Sequence, residues 1–421
     1  MNRPLRRGEP KGAALANPAR LNEDGQKLLA RGQAAQAAEL FAKAVRLSPE
    51  QPEYRVNLGR AYAAQGNTAK AKAALGRAVA LFPAMADLYG SLGNVLEAEG
   101  ANVPALNSYR RAVRLDPGHY TARNLDVVVA KLAQAVHGWH LPMLADTLRN
   151  DAFQAAIEAA VRPDDVVLDI GTGSGLLAMM AARAGAGSVY GCEMLNDLAE
   201  LAKIVVARNG FADRVTVIPK PSTELEVGRD LPARATLLVT ETFDSLVIGE
   251  GILGTLRHAH EHLLAPGARV IPAGATLKGQ LVTLPRLKAL HPLKTINGFD
   301  LSAFSIGSPV ERFYPVFPDH EDHTALTAPF DLLGFDFTVK PALRQSWSAE
   351  AEVEADGTVQ ALLLSFDLHL DAGTVISTTK FGAIKHWNPV VFVFDAERPV
   401  RRGDRVTISG RLDDKAMSFS L

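Results

Sequence analysis

VVLDIGTGSGLLAMMAARAG, residues 166–185, decides the fold of the larger part of this chain. Its first five residues are an apolar, β-branched run with the length of a short buried strand, and its last ten read as a helix. Between them stand Gly171, Gly173 and Gly175, which let the backbone come close to a ligand at a strand-to-helix turn. The next strand, SVYGCE, ends at Glu193, and an acid there can accept both hydroxyls of a ribose. Arg214–Ile218 and Ala235–Thr240 read as a third and a fourth strand. Leu253–Leu264 reads as an amphipathic helix closed by Pro266-Gly267, and Val270-Ile271-Pro272 as the start of a further strand. Such alternation predicts a doubly wound parallel α/β sheet with its ligand crevice at the strand ends. From about residue 274 the pattern changes to period two (ATLKGQLVTL, TVQALLLSFDLHL, DRVTISGRL), which predicts an antiparallel β-barrel or sandwich.

Upstream, the chain repeats itself. Gly32, Gly66 and Gly100 are thirty-four residues apart, as are Pro49, Pro83 and Pro117. The same offset links Ala37, Ala71 and Ala105, then Phe41, Leu75 and Tyr109, then Ala44, Ala78 and Ala112. Leu58-Gly59 recurs as Leu92-Gly93, while the first repeat has Asp24 in place of the leucine. This resembles the tetratricopeptide pattern, two antiparallel helices per repeat, with residues 121–136 as a capping helix. The small residues let helices approach, the large one fills the gap, and proline ends the second helix. Such arrays present a concave groove to a peptide or partner protein, and the alternative role is a scaffold for the next domain. The expected organisation is a tail over 1–17, the all-α repeats over 18–136, the α/β domain over 137–273 and the barrel over 274–421.

The glycine spacing discriminates between cofactors. A dinucleotide fingerprint reads GxGxxG and places a pyrophosphate on the helix N-terminus. Here the spacing is GxGxG, and Asp169 precedes it, a carboxylate unwelcome beside a pyrophosphate but suited to a cationic amino-acid ligand. The loop resembles the S-adenosylmethionine site of the doubly wound methyltransferases. At the end of the fourth strand the chain turns acidic, with Glu241 and Glu250 nine residues apart in TETFDSLVIGEG. Two carboxylates held together repel unless a cation lies between them, and a planar guanidinium satisfies both.

With that pair in place the chain is similar to the protein arginine methyltransferase family, over about residues 137–421. Upstream, WHLPMLADTLRNDAFQAAI (Trp139–Ile157) resembles the family's cofactor-covering helix. The resemblance implies that Met143 lines the active site, that Arg149 grips the cofactor carboxylate, and that His140 and Asp146 match. Ser222, in Ser222-Thr223-Glu224, falls where the family recognises adenine, although many members have glutamate there. Lys385-His386-Trp387 resembles the family's Thr-His-Trp loop, with lysine in place of threonine. It implies that His386 and Asp146 form a pair that helps remove a proton, with Trp387 on the substrate side or packed in the barrel. Asn297–Phe304 matches the stretch leading into a dimerisation arm near 298–329, which implies a homodimer.

With 45 Lys and Arg against 46 Asp and Glu, the net charge of −1 supports neither a nucleic acid nor a membrane partner. No apolar stretch has transmembrane length, and the N-terminus lacks a signal-peptide core. One cysteine, Cys192, is expected as a packing residue in a reducing, cytoplasmic setting. His258 and His262 lie one helical turn apart but show no third ligand, so no metal is expected. The reading is therefore an S-adenosylmethionine-dependent enzyme that methylates arginine in a protein or peptide recruited by the repeats. The alternatives are a small-molecule or non-arginine acceptor, and an inactive binding scaffold.

Overall fold

The structure is a computed structural model, and it describes residues 17–136, 138–284, 295–303, 313–315, 323–380, 384 and 386–421. The chain divides between Ala135 and Val136 into two compact units.

The first unit contains helices α1 (Pro18–Ala30), α2 (Ala34–Leu47), α3 (Pro52–Ala64), α4 (Thr68–Leu81), α5 (Ala86–Ala98), α6 (Asn102–Leu115) and α7 (Ala122–Ala135). The offset of thirty-four reappears in the helix starts. All nine residues of the three aligned columns, from Ala37 to Ala112, are fully buried. Their packing has a steric basis. A Cβ added at Gly59 would lie 2.5 Å from Leu75, and one at Gly93 would lie 2.4 Å from Tyr109. Gly25 meets Phe41 in the same way, so the first repeat keeps this contact despite Asp24. Gly66, at φ 71°, closes the turn between α3 and α4 in a conformation that a side chain disfavours.

The second unit opens with a short helix α8 (His140–Leu144) and α9 (Thr147–Ala160). The stretch read as one covering helix is therefore broken. Asp146 is the reason: its side chain accepts the Arg149 amide and starts a new helix. Strands β1 (Val166–Ile170), β2 (Ser188–Cys192), β3 (Val215–Ile218), β4 (Ala235–Thr240) and β5 (Leu264–Ile271) form a parallel sheet in the order β3-β2-β1-β4-β5. Helices α10 (Leu176–Arg183), α11 (Asn196–Arg208) and α12 (Ile252–His258) lie along the connections. The side on which successive strands are added switches between β1 and β4, so the loops that follow these two parallel strands border the crevice.

One boundary differs from the reading. Helix α12 ends at His258, Ala259–Leu263 is a π-helical turn, and β5 ends at Ile271, where a strand was expected to begin. Leu264 and the Arg269–Ile271 segment both pair with β4, and a register shift between them accommodates Pro266-Gly267. A turn-like dipeptide inside a strand hides it from pattern reading.

The period-two region forms antiparallel strands β6 (Gly274–Thr283), β7 (Phe330–Asp336), β8 (Arg344–Glu352), β9 (Gly357–His369), β10 (Val390–Val400), β11 (Arg405–Asp413) and β12 (Ala416–Ser420). β9 pairs with β6 and β10, β7 with β6, and β11 with β8 and β12. The result is a barrel-like pair of sheets that shares one apolar core with the α/β domain, from Phe153 and Leu168 to Trp387 and Phe419. Half of the expected arm, 304–312 and 316–322, and Lys385 lie outside the described residues.

Candidate active site

A cavity of about 770 Å³ opens at the carboxyl ends of β1, β2 and β4. That is an ordinary size for a small-molecule site. The β1 loop reaches it through Gly171, Gly173 and Gly175, at φ 72°, 53° and 82°. A Cβ at Gly171 would lie 2.4 Å from Thr242, so the loop can pass the β4 end only as glycine. Glu193 is buried at the end of β2, accepts the amides of Gly173 (3.2 Å) and Leu195 (2.9 Å), and lines the cavity. Ser222 begins a short 3-10 turn in the same wall. Cys192 is a buried thiol whose pKa burial pushes up to about 12.

Asp169 has a different place from the one expected. It does not line the cavity. It sits behind the loop at 1 % exposure, where its Oδ2 accepts the Thr172 hydroxyl (2.6 Å) and the Ala178 amide (3.1 Å). The carboxylate fastens the turn to the start of α10, and burial pushes its pKa up to about 7.

The acidic loop after β4 forms the opposite wall. Trp387 is buried, its indole N–H donates to the Phe243 carbonyl (2.9 Å), and its ring meets Phe366 edge-on. Asp244 accepts the amides of Leu246 (3.1 Å) and Gly249 (2.8 Å) and so curls the loop back. These ties present Glu241 and Glu250 to one cavity with Met143, His386 and Trp387. Glu250 lies at the mouth. Desolvation by the surrounding loop, then the charges of Glu241 and Asp244, push its pKa up to about 7.

Arg149 supplies a cation to Glu241. It was expected on the cofactor side alone. Instead its Nη2 lies 2.6 Å from Glu241 Oε2, with both side chains almost fully buried. Its Nη1 donates to Asn150 (2.8 Å), and its Nε is buried without a hydrogen-bond partner. His386 stands on the other side of Glu241. Its Nε2 is 3.6 Å from Glu241 Oε1 and its Nδ1 is 3.7 Å from Asp146 Oδ2, each too long for a hydrogen bond. Asp146, His386, Glu241 and Arg149 thus form one buried row in which the expected Asp146–His386 pair is extended by Glu241.

The chemistry of the donor set fits S-adenosylmethionine. An unpartnered Arg149 N–H suits a carboxylate, Glu193 suits a ribose diol, and the glycine turn gives the ligand close access to backbone. Among the described residues no group of three or more His, Cys, Asp or Glu is placed to hold a metal ion. Trp139 and Thr242 lie within the stretches read above without having been singled out, and Lys220 and Lys415 lie in no motif at all, yet all four line the cavity.

A parallel sheet with this glycine turn, joined to an antiparallel barrel-like domain, defines an S-adenosylmethionine-dependent methyltransferase. Three family models match the chain: a tetratricopeptide repeat over 28–94, a ribosomal protein L11 methyltransferase over 153–274, and an arginine methyltransferase oligomerization subdomain over 288–419. The arginine N(omega)-methyltransferase of Streptomyces achromogenes is 38 % identical over 283 residues, 67 % of this chain and 78 % of that protein. The chain belongs to the arginine methyltransferase family. Protein arginine N-methyltransferase 7 of Rattus norvegicus is 34 % identical over 66 % of this chain and 45 % of its own length. For that of Oryza sativa subsp. indica the identity is 38 %, over 57 % and 36 %. The chain spans less than half of either relative. Among solved structures, the fold is shared with a Trypanosoma brucei PRMT1 enzyme-prozyme complex with AdoHcy (TM-score 0.59, 24 % identity, 68 % of this chain and 93 % of that one). It is also shared with Arabidopsis thaliana protein arginine methyltransferase 10 (TM-score 0.55, 18 % identity, 68 % and 93 %).

Proposed function

We propose that this chain transfers a methyl group from S-adenosylmethionine to a guanidino nitrogen of arginine in a protein or peptide. The observation that carries the reading is the pair Glu241 and Glu250 in the wall of one cavity with the glycine turn and Glu193. S-adenosylmethionine supplies, when bound, a methyl group on a sulfonium sulfur. Arg149, through its unpartnered Nε, and Glu193 and Ser222 hold and orient the cofactor; Gly171 and Gly173 give it room. Asp169 acts at one remove by fixing Thr172 and the start of α10.

Guanidinium is a weak nucleophile because its charge is delocalised. Glu241 and Glu250 bind it and draw positive charge toward the nitrogens they face, which leaves lone-pair density on the attacking one. Alignment is the other requirement, and Met143 and Trp387 wall the acceptor channel. His386, held between Asp146 and Glu241, takes up the proton released after transfer. The repeats bring the protein acceptor to the enzyme, and a second copy of the chain joins through the oligomerization subdomain.

Glu241→Gln and Glu250→Gln each test the assignment. Methylarginine, detected in hydrolysed product from labelled cofactor, is expected to fall by about 100-fold or more. Calorimetry is expected to show cofactor binding still measurable. Full activity in either variant overturns the role of that glutamate. The Streptomyces relative is named for arginine rather than protein arginine, and the same two carboxylates would serve either acceptor.

A further inference from the structure

We propose that Lys415 is the acceptor-side specificity residue of this cavity, placed to pair with a carboxylate carried by the arginine substrate. The proposal rests on the arginine reading above and adds a second charge to it. Asp413 pairs with Ala416 across β11 and β12, so Asp414-Lys415 is a two-residue turn. Its backbone is fixed. Asp414 is left-handed at φ 50°, and its amide donates to the Leu343 carbonyl at 2.6 Å. The lysine stem lies across Gly251, where an added Cβ would come within 2.8 Å of Cε and 3.2 Å of Nζ. Gly251 follows Glu250 directly and is itself left-handed at φ 78°. The barrel hairpin therefore sets an ammonium group beside the backbone of the acidic loop. It lines the same cavity as Met143, Glu241, Glu250 and His386.

Three acids crowd that loop, and an idle lysine would be expected to pair with one of them. Lys415 does not: it makes no ion pair or hydrogen bond among the described residues. Glu250 keeps its carboxylate for the guanidinium, and Lys415 keeps a compact, three-donor cation for something else. A cavity mouth with an acid and a free base side by side suits an acceptor of both charges, guanidinium inward and carboxylate outward. That carboxylate has two sources. It is the α-carboxylate of free arginine, or an acidic side chain next to arginine in a peptide.

The test compares acceptors in matched pairs, with the full chain and labelled S-adenosylmethionine. One pair is free arginine against arginine amide; the other is an Arg-Asp peptide against its Arg-Asn counterpart. The wild type is expected to favour the carboxylate member of at least one pair by about tenfold in kcat/KM, and that pair identifies the source. Lys415→Gln is expected to bring that ratio close to one, Lys415→Arg to keep most of it, and Lys415→Glu to invert it. Added salt is expected to shrink the wild-type ratio. Ratios near one in the wild type, or a wild-type ratio unchanged in Lys415→Gln, overturn the proposal. Failure of the wild type to methylate any of the four acceptors, with cofactor binding intact by calorimetry, instead overturns the arginine reading itself.

Discussion

Glu250 is the residue whose ionisation the reaction should report. Its pKa is raised from the usual carboxylate range to about 7 by desolvation from the surrounding loop, although its side chain reaches the surface, and by the charges of Glu241 and Asp244. Below that pH it holds a proton and cannot balance a guanidinium. The kcat/KM for an arginine acceptor is therefore expected to fall as pH drops through about 7, approaching tenfold per unit. Bound guanidinium favours the ionised form, so the limb in kcat should lie at lower pH. Initial rates between about pH 5.5 and 8.5 check this, and a flat kcat/KM profile would overturn it. Asp169 carries the corresponding stability effect. Its folded-state pKa is also about 7, against about 3.9 in an unfolded chain, so the folded state binds the extra proton between those values. Stability from this group declines as pH rises from about 4 to about 7 and is flat above that. Asp169→Asn is expected to remove the decline. It keeps the bonds from Thr172 and Ala178, because both reach a single oxygen that an amide oxygen can replace. Asp169→Ala loses both, at a cost of about 2 kcal/mol. Thermal melts of the three proteins at about pH 5 and 8 separate these outcomes. At this scale the sequence pointed to residues that line one cavity but not to the atoms they meet. Asp169 reads as a ligand contact, and Arg149 as a partner of the cofactor. Their actual partners, Thr172 and Glu241, depend on how α9, β1 and β4 pack.

Elements built from repeated or uninterrupted patterns were readable, and elements broken by one residue were not. Ala235–Thr240 has the same limits in the sequence reading and in the structure, because a parallel strand buried at five of its six positions reads as a nearly continuous apolar, β-branched run. The helix pairs of the first unit follow from their spacing, since each column of aligned residues does one packing job three times. By contrast, nothing in WHLPMLADTLRN marks Asp146 as a cap rather than a mid-helix acid, and β12 has too few residues to show a period. The glycine columns give a direct test of the packing argument. Gly93→Ala pushes a Cβ to 2.4 Å from the fully buried Tyr109 ring, which must then shift, at an expected cost of about 1–3 kcal/mol. Gly66→Ala faces open space, so it pays only for φ 71°, about 1 kcal/mol. The three tryptophans, Trp139, Trp347 and Trp387, all belong to the second unit. Helical circular dichroism is therefore weighted toward the repeats, which hold most of the described helix, while tryptophan fluorescence follows the other unit alone. Both substitutions are expected to lower the denaturant midpoint of the first signal and leave the second in place. Equal loss in both signals would mean that the two units unfold together.

At the scale of the molecule, the two units have separate apolar cores. That of the repeats centres on Phe41, Leu75 and Leu88, and that of the second unit runs from Phe153 to Phe419. Every residue lining the catalytic cavity lies in the second unit. The chemistry is thus local to residues 136–421, while a protein acceptor has a further surface available on the repeats. Removal of residues 1–135 is expected to leave cofactor affinity within about twofold, since the residues described as lining the cavity all lie in 136–421. Methylation of a short arginine peptide should also persist, because its guanidinium meets only Glu241 and Glu250. A protein substrate that docks on the repeats should instead lose its local enrichment. Its KM is expected to rise by about 10- to 100-fold with kcat little changed, the pattern left when only uniform binding is removed. Steady-state kinetics on the same substrate, presented as a whole protein and as its excised arginine peptide, make the comparison. If KM rises equally for both, the repeats support the catalytic unit structurally. If it rises for neither, the groove takes no part in choosing this substrate.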